Sequence, residues 1–144
     1  MANWQDVDKV ALSLPQVEAN TVPGSRSWSV AGKNLAWERP LRVKEVAIET
    51  AASREPYLGD IIAIHLPELS AKQAYLQTDP EKFFEIPHFA NYPAVLCRLS
   101  ALSTHDLEEL LFEAYLCKAP KKLASELLAA HQATRNPGLP EPGE

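Results

Sequence analysis

Residues 26–39 carry the pattern that most limits what this chain can fold into. In Arg26-Ser27-Trp28-Ser29-Val30, Trp28 and Val30 point one way and the two serines the other, which is the period of two expected of a half-buried strand. Asn34-Leu35-Ala36-Trp37-Glu38-Arg39 repeats the pattern with Leu35 and Trp37 inward. Gly32-Lys33 lies between the runs, and glycine at the first central position suits a type II′ turn. The pattern therefore predicts a β-hairpin with Lys33 at its tip. Pro40 stops the second strand because it has no amide to donate.

Helices flank this hairpin in sequence. Trp4, Val7, Val10, Ala11 and Leu14 recur at three- and four-residue spacing, so residues 3–14 read as an amphipathic helix capped by Asn3 or Asp6 and ended by Pro15. Residues 16–25 read as a loop or short extended piece. The stretch 41–54 fits both a strand and a helix, and is taken as a turn of helix between strands. Asp60–Leu66 is rich in β-branched residues and predicts a buried strand. Residues 68–76 predict a short helix, and Asp79-Pro80 a further helical turn with Asp79 as cap. Pro87–Pro93 is a proline-bracketed loop leading into a strand over Ala94–Leu99. Ser103 and Asp106 form a capping box before a helix with Leu107, Leu110, Leu111, Ala114 and Tyr115 on one side. Pro120 begins the last helix, whose apolar face is Leu123, Leu127 and Leu128. The sum is an α+β domain: an antiparallel sheet of about four strands with helices packed on one face.

The 144 residues suit one domain, expected over residues 1–134, with the proline- and glycine-bearing residues 135–144 as a flexible tail. No run of about 18 apolar residues is present, and the N-terminus lacks the basic-then-apolar order of a signal peptide. Cys97 and Cys117 are too few for a disulfide framework and sit in apolar surroundings, so both are expected reduced and buried in a cytoplasmic protein. The net charge of −5 opposes coating by nucleic acid through bulk attraction. Residues 26–44 depart from that trend: Arg26, Lys33, Arg39, Arg42 and Lys44 face only Glu38. Such a segment can meet an anion, or be balanced by acids nearby in space.

Sequence signatures of chemistry are few. Five scattered glycines form no phosphate loop, and there is no Cys-x-x-Cys, His-Glu-x-x-His or Gly-x-Ser-x-Gly. No cofactor, metal site or catalytic set is therefore assigned. His88, between Pro87 and Phe89, is either a rigidly posed imidazole lining a pocket or a histidine packed on Phe89 and bonded to its own loop. Arg98 interrupts an apolar strand, and either pairs with Glu38 or Glu85 or binds an anion.

Several segments together resemble the MmcQ/YjbR-like family of bacterial proteins, whose members are often labelled DNA-binding. They are Ala11–Glu18, Leu35–Leu41, Asp79–Phe89, Tyr92–Leu99 and Glu113–Leu123, so the likeness runs over residues 3–130. The resemblance implies a double-wing α+β fold, two hairpin-like units flanked by helices. It also implies duplex DNA as a partner, bound by a hairpin wing through Arg26, Lys33, Arg39, Arg42 and Lys44. The residues themselves leave two alternatives open. One is a small-molecule or peptide pocket built from Trp37, Arg39, His88, Tyr92 and Arg98, in which rings supply area and arginines recognise an anion. The other is a self-associating or partner-binding module.

Overall fold

Six strands, not four, form one antiparallel sheet in the computed structural model, which describes residues 1–135. The spatial order is β1 (Val17–Asn20), β2 (Ser27–Val30), β3 (Lys33–Glu38), β4 (Ile61–His65), β6 (Ala94–Arg98) and β5 (Phe83–Phe84). The helices are α1 (Trp4–Leu12), α2 (Val43–Ala51), α3 (Leu69–Thr78), α4 (Thr104–Lys118) and α5 (Lys121–Arg135). Of the expected C-terminal tail, Arg135 is the last residue of α5 and 136–144 lie outside the described residues. No helix among the described residues is long and apolar enough to cross a membrane.

The two unforeseen strands occupy the sheet edges. β1 falls in the segment expected as a loop or extended piece. β5 cuts short the helical turn expected after Asp79: one turn forms over residues 80–82, with the Asp79 carbonyl accepting the amides of Lys82 and Phe83, and Phe83-Phe84 then pair as a strand. Neighbouring residues of a strand face opposite ways. As a strand, the adjacent Phe83 and Phe84 therefore reach two different apolar clusters.

α1 and α4 pack on one face of the sheet, over Trp28, Val30, Leu35, Ile62, Ile64, Val95 and Cys97. Both helices begin with reciprocal capping boxes, Asn3 with Asp6 and Ser103 with Asp106, which satisfy amides the helix itself cannot. All five apolar positions named for α4 are buried. Trp28 is fully buried, stacks on Trp4 at 6.0 Å and donates its indole N–H to Asp8 at 2.7 Å. Leu123 and Leu127 of α5 pack against the same core, whereas Leu128 stays exposed. Cys97 is buried as expected, and burial pushes its thiol well above the ordinary range. Cys117 is exposed, contrary to expectation, because it lies off the α4 stripe that meets the sheet.

The hairpin differs from its expected form in two ways. Ala31 and Gly32 both have positive φ, 50° and 76°, and Val30 pairs with Lys33. That is the pattern of a type I′ turn centred on Ala31-Gly32, so Lys33 opens β3 instead of forming the tip. The second difference is a β-bulge: Trp28 pairs with Ala36 and Ser29 with Asn34, leaving Leu35 as the extra residue. Leu35 and Ala36 are consequently both buried in the α1/α4 core. Past the bulge the alternation resumes with opposite phase, so Trp37 faces away from Leu35.

Candidate ligand-binding site

That change of phase builds the second face of the sheet. Trp37 pairs with Ala63, Ala63 with Leu96 and Leu96 with Phe84, a row that joins Ile61, Ile86, Phe89, Leu41 and Tyr57 in a second apolar cluster. Two residues beyond Ala63, His65 shares this face, and its ring lies 4.9 Å from that of Trp37. Two residues beyond Trp37, Arg39 continues the same side; its amide bonds the carbonyl of Ile61 at 3.0 Å.

The loop from Glu85 to Tyr92 closes over this face. Pro87–Phe89 forms one 3₁₀ turn, which the fixed φ of Pro87 favours at its first position. Lys72 of α3 anchors the loop from below. Its ammonium is buried, donates to the carbonyls of Phe89 at 2.6 Å and Tyr92 at 2.9 Å, and pairs with Glu85. A buried lysine needs such partners to offset its lost hydration. Tyr92 stands at the rim with its hydroxyl 3.0 Å from Nε2 of His65. Burial is the main cause that holds the His65 imidazole below its ordinary value, which favours the neutral ring beside Tyr92.

Arg39 and Glu45 form the best-defined ion pair of this region. The buried guanidinium donates to both carboxylate oxygens, at 2.9 and 2.6 Å, and to the carbonyl of Pro40 at 2.7 Å. It also lies over the Phe89 ring, 5.4 Å from the centroid. Glu45 accepts the backbone amide of Arg42 as well, at 2.8 Å. The hydrogen bonds from Arg39 are the largest cause that holds this carboxyl below its usual range, and the charge of Arg42 adds to them. The carboxylate of Glu45 is thus engaged by its own arginine and by the start of α2.

Two adjoining hollows open here. One, of about 420 Å³, is lined by Trp37, Arg39, Arg42, His88, Phe89 and Tyr92. The other, of about 370 Å³, is lined by Arg42, Lys44, Glu45, Ile48, Ile86, Pro87 and His88. They share Arg42 and His88, both exposed. Arg42 and Lys44 make no salt bridge to a described residue. His88 stacks edge-on against Phe89 at 5.2 Å, and its ring nitrogens are free of hydrogen bonds to described residues.

The sequence-derived pocket set is therefore brought together in four of its five members: Trp37, Arg39, His88 and Tyr92 line one hollow. Arg98 does not join them. It lies over Phe84 at 4.7 Å and Tyr57 at 5.6 Å, and donates to the carbonyl of Pro80 at 3.0 Å. Neither Glu38 nor Glu85 is its partner: Glu38 pairs with Arg26 and Glu85 with Lys72. The five basic residues of segment 26–44 divide in a similar way. Arg26 pairs with Glu38 at 3.0 Å and lies over Trp4 at 5.2 Å, and Arg39 is buried against Glu45, so only Lys33, Arg42 and Lys44 are exposed. The apolar-spacing signals had no means of finding Lys72 or His65. Lysine in a helix reads as surface, and the partners of Lys72 lie 13 to 20 residues away.

No protein-family model and no solved structure matches the chain. Curated relatives are bacterial: an uncharacterized protein of Mycobacterium bovis and uncharacterized proteins of two Mycobacterium tuberculosis strains, CDC 1551 and H37Rv. Each is 43% identical over 129 residues, 90% of this chain and 98% of the relative. The chain belongs to their family. The shared span is long enough to take in the whole sheet and the cleft on its second face, so these relatives are natural subjects for the same binding experiments.

Proposed function

We propose that this protein is a binding domain for a small anionic ligand, held in the cleft between α2 and the loop 85–92. The observation that carries the proposal is the pair of hollows meeting at Arg42 and His88. Exposed cationic side chains stand there beside aromatic walls, while the neighbouring carboxylate, Glu45, is already engaged by Arg39. Concave apolar walls with a few convergent polar groups are the usual make-up of a small-molecule site. The rings of Trp37, Phe89 and Tyr92 supply area, and the guanidinium of Arg42 supplies a planar donor fork for a carboxylate or phosphate.

Calorimetric titration with benzoate, phenyl phosphate and inorganic phosphate tests this. Binding that weakens about tenfold in Arg42→Ala, as expected for loss of one charge-assisted contact, supports the cleft. Anion binding indifferent to that substitution refutes it.

Duplex DNA is the second reading, drawn from the MmcQ/YjbR-like resemblance and favoured by the exposure of Lys33, Arg42 and Lys44. It requires these three to supply the phosphate contacts that five residues were expected to share. Titration with mixed-sequence duplex at two salt concentrations separates the readings. Affinity that falls steeply with salt and is lost in Lys33→Glu belongs to a wing on DNA, whereas a cleft ligand is indifferent to Lys33.

A further inference from the structure

Resting on the cleft proposed above, we infer that its ligand is a nucleoside monophosphate, with the base in the aromatic hollow and the phosphate against Arg42 and Lys44. The first argument is charge. Arg39, Arg42 and Lys44 bring three positive charges to the paired hollows and Glu45 brings one negative, and Arg39 and Glu45 cancel each other at hydrogen-bond distance. Two positive charges, Arg42 and Lys44, remain without a salt-bridge partner among the described residues. A phosphomonoester carries about −1.5 to −2 at neutral pH and balances them, whereas a carboxylate balances only one.

The second argument is the division of the cleft. The hollow shared with Arg42 and His88 is walled by Trp37, Phe89 and Tyr92, with the Arg39 charge already neutralised, so a flat uncharged ring meets rings and leaves Arg42 to the phosphate. Stacking of a base on such side chains is worth roughly as much as a good hydrogen bond and tolerates any base. The hollow nearer α2 adds the aliphatic side chains of Ile48 and Ile86 beside its cations. Each hollow alone has the volume of a small-ligand site, and Arg42 and His88, which line both, set the two side by side. A ring, a sugar and a phosphate in sequence fill both parts; a single-ring phosphate fills one.

Calorimetry with adenosine 5′-monophosphate, adenosine, phenyl phosphate and inorganic phosphate tests the inference, using the full chain. The monophosphate is expected to bind at least about tenfold tighter than any of the other three, because it gains both parts of the cleft. In the Arg42→Ala/Lys44→Ala variant, which changes only exposed side chains, its affinity should fall to that of adenosine measured in the same variant. Tyr92→Ala should weaken adenosine and the monophosphate alike and leave inorganic phosphate unchanged. If the monophosphate binds no tighter than inorganic or phenyl phosphate, and those bind in an Arg42-dependent way, the nucleotide inference falls and the anion cleft stands. Monophosphate binding that ignores the double substitution places the nucleotide elsewhere and overturns the inference. If no anion binds in an Arg42-dependent way, both fall.

Discussion

Replacing Lys72 by methionine keeps an unbranched side chain, one heavy atom shorter, and removes its charge and its three donors. The loop 85–92 then loses the groups that satisfy the carbonyls of Phe89 and Tyr92 and the carboxylate of Glu85. Removing one partner of a buried ion pair costs about 3–5 kcal/mol, most of it from the group left behind. The Glu85 side chain keeps 30% of its surface and can be hydrated when abandoned. This places the expected cost near the lower end, about 3 kcal/mol. For a chain of this size about 3 °C is lost per kcal/mol, so thermal unfolding followed by circular dichroism should shift down by about 10 °C. The double variant Lys72→Met/Glu85→Gln removes the stranded charge and should recover part of that loss. Amide exchange should also quicken from Phe89 to Tyr92 ahead of the sheet, because the clamp acts on that loop. A melting temperature within about 2 °C of the parent, or a double variant worse than the sum of its single changes, would falsify this account of Lys72.

Other consequences follow from the same face of the sheet and from the hairpin. Glu45 has a folded-state value below its ordinary 4.5, mainly through the hydrogen bonds from Arg39, so its ion pair stabilises the fold above that pH and is lost as pH falls through the lower folded value. Urea unfolding of the parent and Glu45→Gln should differ by about 2 kcal/mol at pH 7, and the gap should close as pH falls below the ordinary carboxylate value; a constant gap would contradict the ion-pair origin. His65 is held below its ordinary 6.5, chiefly by burial. The unfolded chain therefore takes up this proton first, and stability declines from about pH 6.5 downward until the folded ring is also protonated. Ring-proton NMR should find His65 still neutral where a free histidine is half-charged, and titration at or above 6.5 would refute its burial. Ala31→Asn creates the Asn-Gly pair preferred by a type I′ turn and relieves a non-glycine residue at φ 50°. Chemical denaturation should register a gain of about 0.5–1 kcal/mol, and a loss would mean that the turn is of another type.

Helices were the most legible part of this chain. α1, α4 and α5 announce themselves by apolar spacing, Asn3 and Ser103 cap where the sequence places a cap, and Pro15 and Pro120 mark breaks. These signals are local, because a helix satisfies its amides within four residues. The central strands were equally readable, β2 and β3 from their alternation and β4 from its β-branched content. The edge strands were not: the two residues of β5 are too few to show a period, and β1 is a strand because β2 lies beside it. α2 was foreseen only as a turn, since its exposed Val43 and Ile48 blur the amphipathic pattern that identifies a surface helix.

The cleft was half-legible for a related reason. Trp37, Arg39, His88 and Tyr92 stand out by residue type, as aromatics and cations near prolines. Arg98 stands out equally and belongs elsewhere, because a cation in a strand is recognised by sequence but its partner is not. Glu38 and Glu85 were reasonable partners for it by charge, yet each is engaged by a different cation.

By itself, then, the sequence determined that this is an α+β chain with a hairpin, that α1, α3, α4 and α5 are helical, and that its positive charge concentrates in residues 26–44 on an otherwise acidic protein. Only the tertiary structure decided what that charge is available to do. A single extra residue at Leu35 turns Trp37 to the opposite face, where it meets His65 and a loop clamped by Lys72 from a third element. Arg26 and Arg39 are neutralised by acids 12 and 6 residues away, which leaves Arg42 and Lys44 at the mouth of the cleft. Helical spacing is a property of consecutive residues, whereas bulge register, ion-pair choice and cavity shape depend on which distant surfaces the folded chain brings into contact.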